Sequence, residues 1–131
     1  MKTVVTCIVA MPDGFTALGG NQYIDSPAVG RWARYLVEEL VPFVDGRWKT
    51  IASRDHRGVF GKSSGGYGAI VHGMKYSDPW GAIACHSGDM YFPYGYLPDY
   101  PSALDVLRKC GGRDQFLEKF RTKVKHHDRD V

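Results

Sequence analysis

Ser63 lies in the run Gly61-Lys62-Ser63-Ser64-Gly65-Gly66-Tyr67-Gly68-Ala69, with a glycine two residues away on each side. A serine hydroxyl is a weak nucleophile until a turn exposes it and a base takes its proton. The spacing G-x-S-x-G supplies such a turn. The serine sits on a sharp strand-to-helix corner, and side chains at the glycine positions would crowd it. The helix that follows aims its positive end at the place where negative charge develops on an attacked carbonyl. These residue types in this order point to acyl transfer through Ser63. Gly61-Lys62-Ser63 also matches the end of a phosphate-binding loop, G-x-x-x-x-G-K-[ST]. That loop needs a glycine where His56 stands, and its glycines precede the lysine so that the loop can wrap a phosphate. The phosphate reading therefore ranks below the serine turn.

The flanks carry the elements that must position Ser63. Residues 58–62 read as a short apolar strand, and residues 66–76 as a helix that stops before Ser77-Asp78-Pro79. Residues 80–86 read as another apolar strand, ending at Ser87-Gly88-Asp89. Residues 3–10 are β-branched and apolar with little alternation, which suits a strand covered on both faces of a parallel sheet. Ser26-Pro27 reads as a helix cap and first helical position. Trp32, Tyr35, Leu36, Leu40 and Phe43 follow at helical spacing, and Pro42 is expected to bend or end that helix. Residues 90–100 form an aromatic, proline-rich loop. Helices are expected over 102–109 and 113–123, parted by Gly111-Gly112. The β-α-β-α-β order predicts an α/β fold with a mostly parallel sheet and right-handed crossovers.

Bulk properties narrow the field. The chain has 131 residues, 44% hydrophobic and 24% charged, as in one globular domain rather than a disordered segment. A net charge of +3 is too small to argue for nucleic acid. Lys119, Arg121, Lys123, Lys125 and Arg129 alternate with polar residues and read as a solvated face. Three cysteines cannot complete a disulfide set. Cys7 and Cys85 lie in apolar runs and are expected to be buried thiols. No spacing suggests a metal site, no organic cofactor is implied, and no run is long enough to span a membrane. Pro12-Asp13-Gly14 is not a leader cleavage site, so the N-terminal apolar run reads as a strand, and the odd cysteine count favours the cytoplasm.

Several short motifs together resemble one family. Met11-Pro12-Asp13-Gly14, Gly19-Gly20-Asn21-Gln22-Tyr23, Ser26-Pro27, the run from Gly61 to Ala69, and His86-Ser87-Gly88-Asp89 are similar to the Putative esterase branch of the α/β hydrolases. That branch includes enterochelin esterase, S-formylglutathione hydrolase and the antigen 85 mycolyltransferases. The resemblance implies a partial α/β-hydrolase fold in three layers, αβα, over 1–131 as a single incomplete domain, with a lid-like loop and short helices in 90–131. It implies Ser63 as nucleophile, the backbone N–H of Ser64 as one oxyanion donor, and a small-molecule ester or thioester as substrate.

By the same resemblance the catalytic acid and histidine follow the serine on later strands. Of the histidines beyond Ser63, namely His72, His86, His126 and His127, none matches that position. His72 reads as a surface or packing residue in mid-helix. The strand whose following loop gives the second oxyanion donor is also missing, and it belongs between the first two strands found here. The chain thus looks like the middle of a hydrolase, and self-association through exposed strand edges is expected. A noncatalytic remnant or binding module of the same fold is the second reading.

Asp13, His86 and Asp89 fall at strand ends and are candidates for the pocket rim. For Asp13 a plain turn role in Pro-Asp-Gly is the simpler reading. His86 and Asp89 could alternatively serve as base and orienter for Ser63. Tyr91, Phe92, Tyr94, Tyr96 and Tyr100 form either a pocket wall or a loop that packs its own rings. Arg57 precedes the strand before Ser63 and could pair with a carboxylate, which the sequence does not identify.

Overall fold

A computed structural model describes residues 6–123 of the chain. Residues 6–10, the described part of the expected first strand, pair with no other strand. An extended segment becomes a strand only through a ladder partner, and among the described residues these find none. Cys7 is exposed as a result, against expectation.

The first helix also starts later than the Ser26-Pro27 signal suggests. Asp25–Ser26 (β1) and Gly30–Arg31 (β2) form a small antiparallel hairpin instead. Gly30, at φ 112°, turns the chain into the helix. The helical run then passes from Trp32–Arg34 (α1) through a wide π-helical stretch, Tyr35–Leu40, into Val41–Arg47 (α2). Its cap is the remote Asp25, whose Oδ1 accepts the N–H groups of Ala33 at 2.9 Å and Arg34 at 3.2 Å. Pro42 explains the π stretch. Its ring would strike the Glu38 carbonyl of a regular helix, so the preceding turn widens, and the Val41 N–H reaches back to Leu36 O.

Gly58–Lys62 (β3) leads into Ser64–Lys75 (α3), and Ala82–His86 (β4) pairs parallel with β3 from Gly58↔Ala82 to Lys62↔His86. This β-α-β unit is the centre of the protein. Strand alternation puts Val59, Gly61, Ile83 and Cys85 toward α3 and Phe60, Ala84 and His86 on the other face. Ile83 lies against Gly73, where a Cβ would approach its Cδ1 to 2.6 Å. The opposite face is open, and Phe60 is 69% exposed. Cys85, expected to be buried, is likewise exposed, because among the described residues no strand pairs beyond β4.

Arg57, just ahead of β3, finds its carboxylate in Asp45 of α2 at 2.5 Å and donates also to the Pro79 carbonyl at 3.1 Å. Asp45 in turn accepts from the Thr50 hydroxyl at 2.7 Å. One ion pair therefore ties α2, the start of β3 and the approach to β4. The segment beyond β4 is more ordered than a plain loop. It holds a helical turn, Phe92–Gly95 (α4), and a 3₁₀ turn, Leu97–Asp99. Tyr100–Lys109 (α5) and Arg113–Lys123 (α6) follow close to the expected bounds, with Gly111 at φ 89° and Gly112 at φ 111° between them. Lys125, His126, His127 and Arg129 lie outside the described residues.

Candidate active site

Ser63 is the single residue between β3 and α3, with φ 54° and ψ −121°. A non-glycine residue at positive φ is strained and persists only when its surroundings hold it there. The glycines around it show how. At Gly61 a Cβ would collide with the Gly65 backbone, so the turn closes only because residue 61 is glycine. At Gly66 a Cβ would lie 2.9 Å from the His86 carbonyl, so α3 packs directly on the backbone leaving β4. The Ser63 N–H donates to His86 O at 3.0 Å, and the Tyr67 N–H donates to Ser63 O at 3.0 Å. The corner is bonded on both sides while its side chain stays exposed.

Serine at a helix start ordinarily caps it with its hydroxyl. Here Ser63 makes no such cap. Its hydroxyl donates instead to Asp89 Oδ1 at 2.9 Å. The Ser64 hydroxyl donates to Asp89 Oδ2 at 2.8 Å, and the Tyr96 hydroxyl reaches the same oxygen at 3.3 Å. Gln22 Nε2 donates to the Tyr96 oxygen at 2.9 Å. The bonds from Ser64 and Ser63, with help from Tyr96, hold the Asp89 carboxyl below the usual carboxylate range. Burial, together with the Asp89 charge, raises the Tyr96 phenol above its usual value. The pair is thus an ionised acceptor and a protonated donor. As at any helix start, the N–H groups of Ser64, Gly65 and Gly66 have no partner within α3 and point out of its end.

The structure therefore joins Ser63, Ser64 and Asp89, and adds Tyr96 and Gln22. His86 contributes its carbonyl, while the strand register puts its side chain on the Phe60 face, away from α3. Asp13 serves its own turn by accepting the Phe15 N–H at 3.0 Å. No histidine among the described residues bonds the Ser63 hydroxyl. None of the described groups of His, Cys, Asp and Glu could hold a metal ion, and none of the described helices is long and apolar enough to cross a membrane.

The aromatic segment packs largely on itself: Tyr91 on Tyr94 at 5.0 Å and Phe92 on Tyr96 at 5.1 Å, with Phe92 also meeting Tyr67 of α3 at 5.4 Å. The role of Tyr96 was beyond sequence reasoning because its partner lies across a turn at Tyr91, itself at φ 58°. His72 is the other residue that sequence undervalues. It is fully buried. Its Nε2 meets Tyr23 O at 3.0 Å, and its Nδ1 accepts from the Trp80 indole at 3.2 Å. Burial lowers its pKa, against the opposing pull of the Tyr23 carbonyl and the Asp25 charge. His72 thus fastens the 22–23 loop to α3. Gly68 lets the Gln22 carbonyl come close, where a Cβ would approach it to 2.7 Å.

Comparison with known proteins gives the family of this small mixed α/β chain. Residues 4–128 match the family described as Putative esterase, and the chain belongs to that family. It is 33% identical over 108 residues to Esterase MT1326 and to Esterase Rv1288, both from Mycobacterium tuberculosis, strains CDC 1551 / Oshkosh and ATCC 25618 / H37Rv. The match takes in 80% of this chain and 24% of each relative. The chain thus spans about a quarter of the length of these relatives. No solved structure matches it at a significant level.

Proposed function

We propose that this chain carries the nucleophile half of a serine esterase acting on small-molecule carboxylic esters or thioesters. The observation that supports the reading most is the backbone of Ser63, held at φ 54° by glycines with its hydroxyl exposed and not capping α3. In this reading the turn is a nucleophile elbow. Ser63 Oγ adds to the substrate carbonyl, and its proton passes to a base. The tetrahedral oxyanion accepts a hydrogen bond from the Ser64 N–H at the positive end of α3. Collapse expels the alcohol or thiol with a proton, and water then releases the acid from the acyl-serine. The resemblance gives the base's role to a histidine and pairs it with an acid on later strands. It also implies the three-layer αβα fold, in which further segments cover the Phe60 face. No cofactor enters the reaction.

The test is covalent labelling. An alkyl fluorophosphonate is expected to mark the peptide containing Ser63, and Ser63→Ala is expected to abolish the mark. Labelling elsewhere, or none, removes the nucleophile from Ser63.

A further inference from the structure

Asp89 is given no role in the reaction just described, yet it joins the β3–α3 turn to the aromatic segment. Its Oδ1 accepts from Ser63 at 2.9 Å, and its Oδ2 from Ser64 at 2.8 Å and Tyr96 at 3.3 Å. Its own N–H lies 3.3 Å from Ser63 O. Bonds from hydroxyls to a carboxylate are charge-assisted and stronger than neutral ones. An exposed serine otherwise samples three rotamers, one of which caps its own helix. In the resting site the carboxylate holds one rotamer of Ser63 and its proton; in the reaction that proton turns to the base while Oγ stays placed. The same carboxylate receives Tyr96, whose ring packs on Phe92, which in turn packs on Tyr67 of α3.

We propose that Asp89 is the positioning residue of this site: it fixes the Ser63 hydroxyl for attack and, through Tyr96, fastens the aromatic segment 91–96 beside it. The first half rests on Ser63 being the nucleophile; the second does not. Asp89 bonds the Ser63 hydroxyl itself at 2.9 Å and acts on the substrate only through it.

Two measurements on the full chain test the proposal. The first times phosphonylation of Ser63 by an alkyl fluorophosphonate in wild type, Asp89→Asn, Asp89→Glu and Tyr96→Phe. The second follows amide hydrogen exchange over 91–96 in the same proteins. Asp89→Asn preserves shape and is expected to slow phosphonylation on the order of tenfold, the loss of a hydrogen bond to a charged group. Asp89→Glu is expected to recover part of that rate. Tyr96→Phe is expected to speed exchange in 91–96, because it removes the hydrogen bond from Tyr96 to Asp89. An Asp89→Asn protein labelled as fast as wild type, or faster, overturns the positioning role. Unaltered exchange in both Asp89→Asn and Tyr96→Phe overturns the fastening. Absence of label on wild-type Ser63 overturns the nucleophile reading and the positioning role with it, a result distinct from equal labelling of both proteins.

Discussion

Trp80 donates its indole N–H to Nδ1 of His72 at 3.2 Å, so the buried imidazole is neutral and carries its proton on Nε2, facing Tyr23 O at 3.0 Å. Protonation would put an N–H against an N–H in a fully buried place. Burial accordingly sets the folded pKa below the ordinary value of 6.5. Between that lowered value and 6.5 the unfolded chain binds the extra proton. Stability is therefore expected to fall as pH drops below about 7 and to level off once the lowered pKa is passed. Urea melts at pH 7, 6 and 5 check this, with His72→Gln expected to show a flatter profile. His72→Ala is expected to cost about 3 kcal/mol at pH 7, through a cavity and two orphaned polar groups.

The strain at Ser63 can be separated from its chemistry. Ser63→Ala and Ser63→Gly both remove the hydroxyl and its bond to Asp89, but only glycine relieves φ 54°. The glycine variant is expected to be more stable than the alanine variant by about 1–2 kcal/mol. Denaturant unfolding of the two side by side reads the difference directly; equal stabilities would mean the turn is not strained.

Two glycines should respond in opposite directions to the same methyl group. Gly61→Ala drives a Cβ into the Gly65 backbone and is expected to cost about 2–3 kcal/mol or to distort the turn. Gly46, inside α2, has open space around its Cβ position, so Gly46→Ala is expected to stabilise by up to about 1 kcal/mol. Paired thermal melts test both.

The open face of the sheet predicts association. Phe60 is 69% exposed on it, and Ile8 and Val9 line an apolar groove of about 310 Å³ with Leu40, Phe43, Val44 and Trp48. Exposed apolar surface beside unpaired strand edges drives chains together. Light scattering at micromolar concentration is expected to show oligomers, and Phe60→Glu is expected to reduce them. A monodisperse monomer would contradict this expectation.

The parts of the fold set by local pattern were legible. The strand at Gly58–Lys62, the turn at Ser63, the helix after it and the strand ending at His86 stand where glycine spacing and apolar runs put them. The parts set by distant partners were not. Residues 6–10 look like a strand by composition but pair with no strand among the described residues, since a ladder depends on the neighbour and not on the segment. The first helix takes its cap from Asp25 across a hairpin, which no reading of adjacent residues reveals. Asp89 could be suspected from its place at a strand end. Its bonds to two serines and a tyrosine depend on how far Gly66 lets α3 approach the turn.

That approach has a consequence for how the protein can vary. Between Ser63 and Asp89 the structure is main chain laid against main chain, with the missing side chain of Gly66 as the spacer. Repacking neighbours cannot compensate for a collision with a backbone that has nowhere to move. A mutational scan should therefore find the region divided sharply. Bulky surface aromatics such as Tyr94 should exchange freely. At Gly66, where a Cβ would come 2.9 Å from the His86 carbonyl, a single added carbon is expected to push α3 off the turn and weaken the protein.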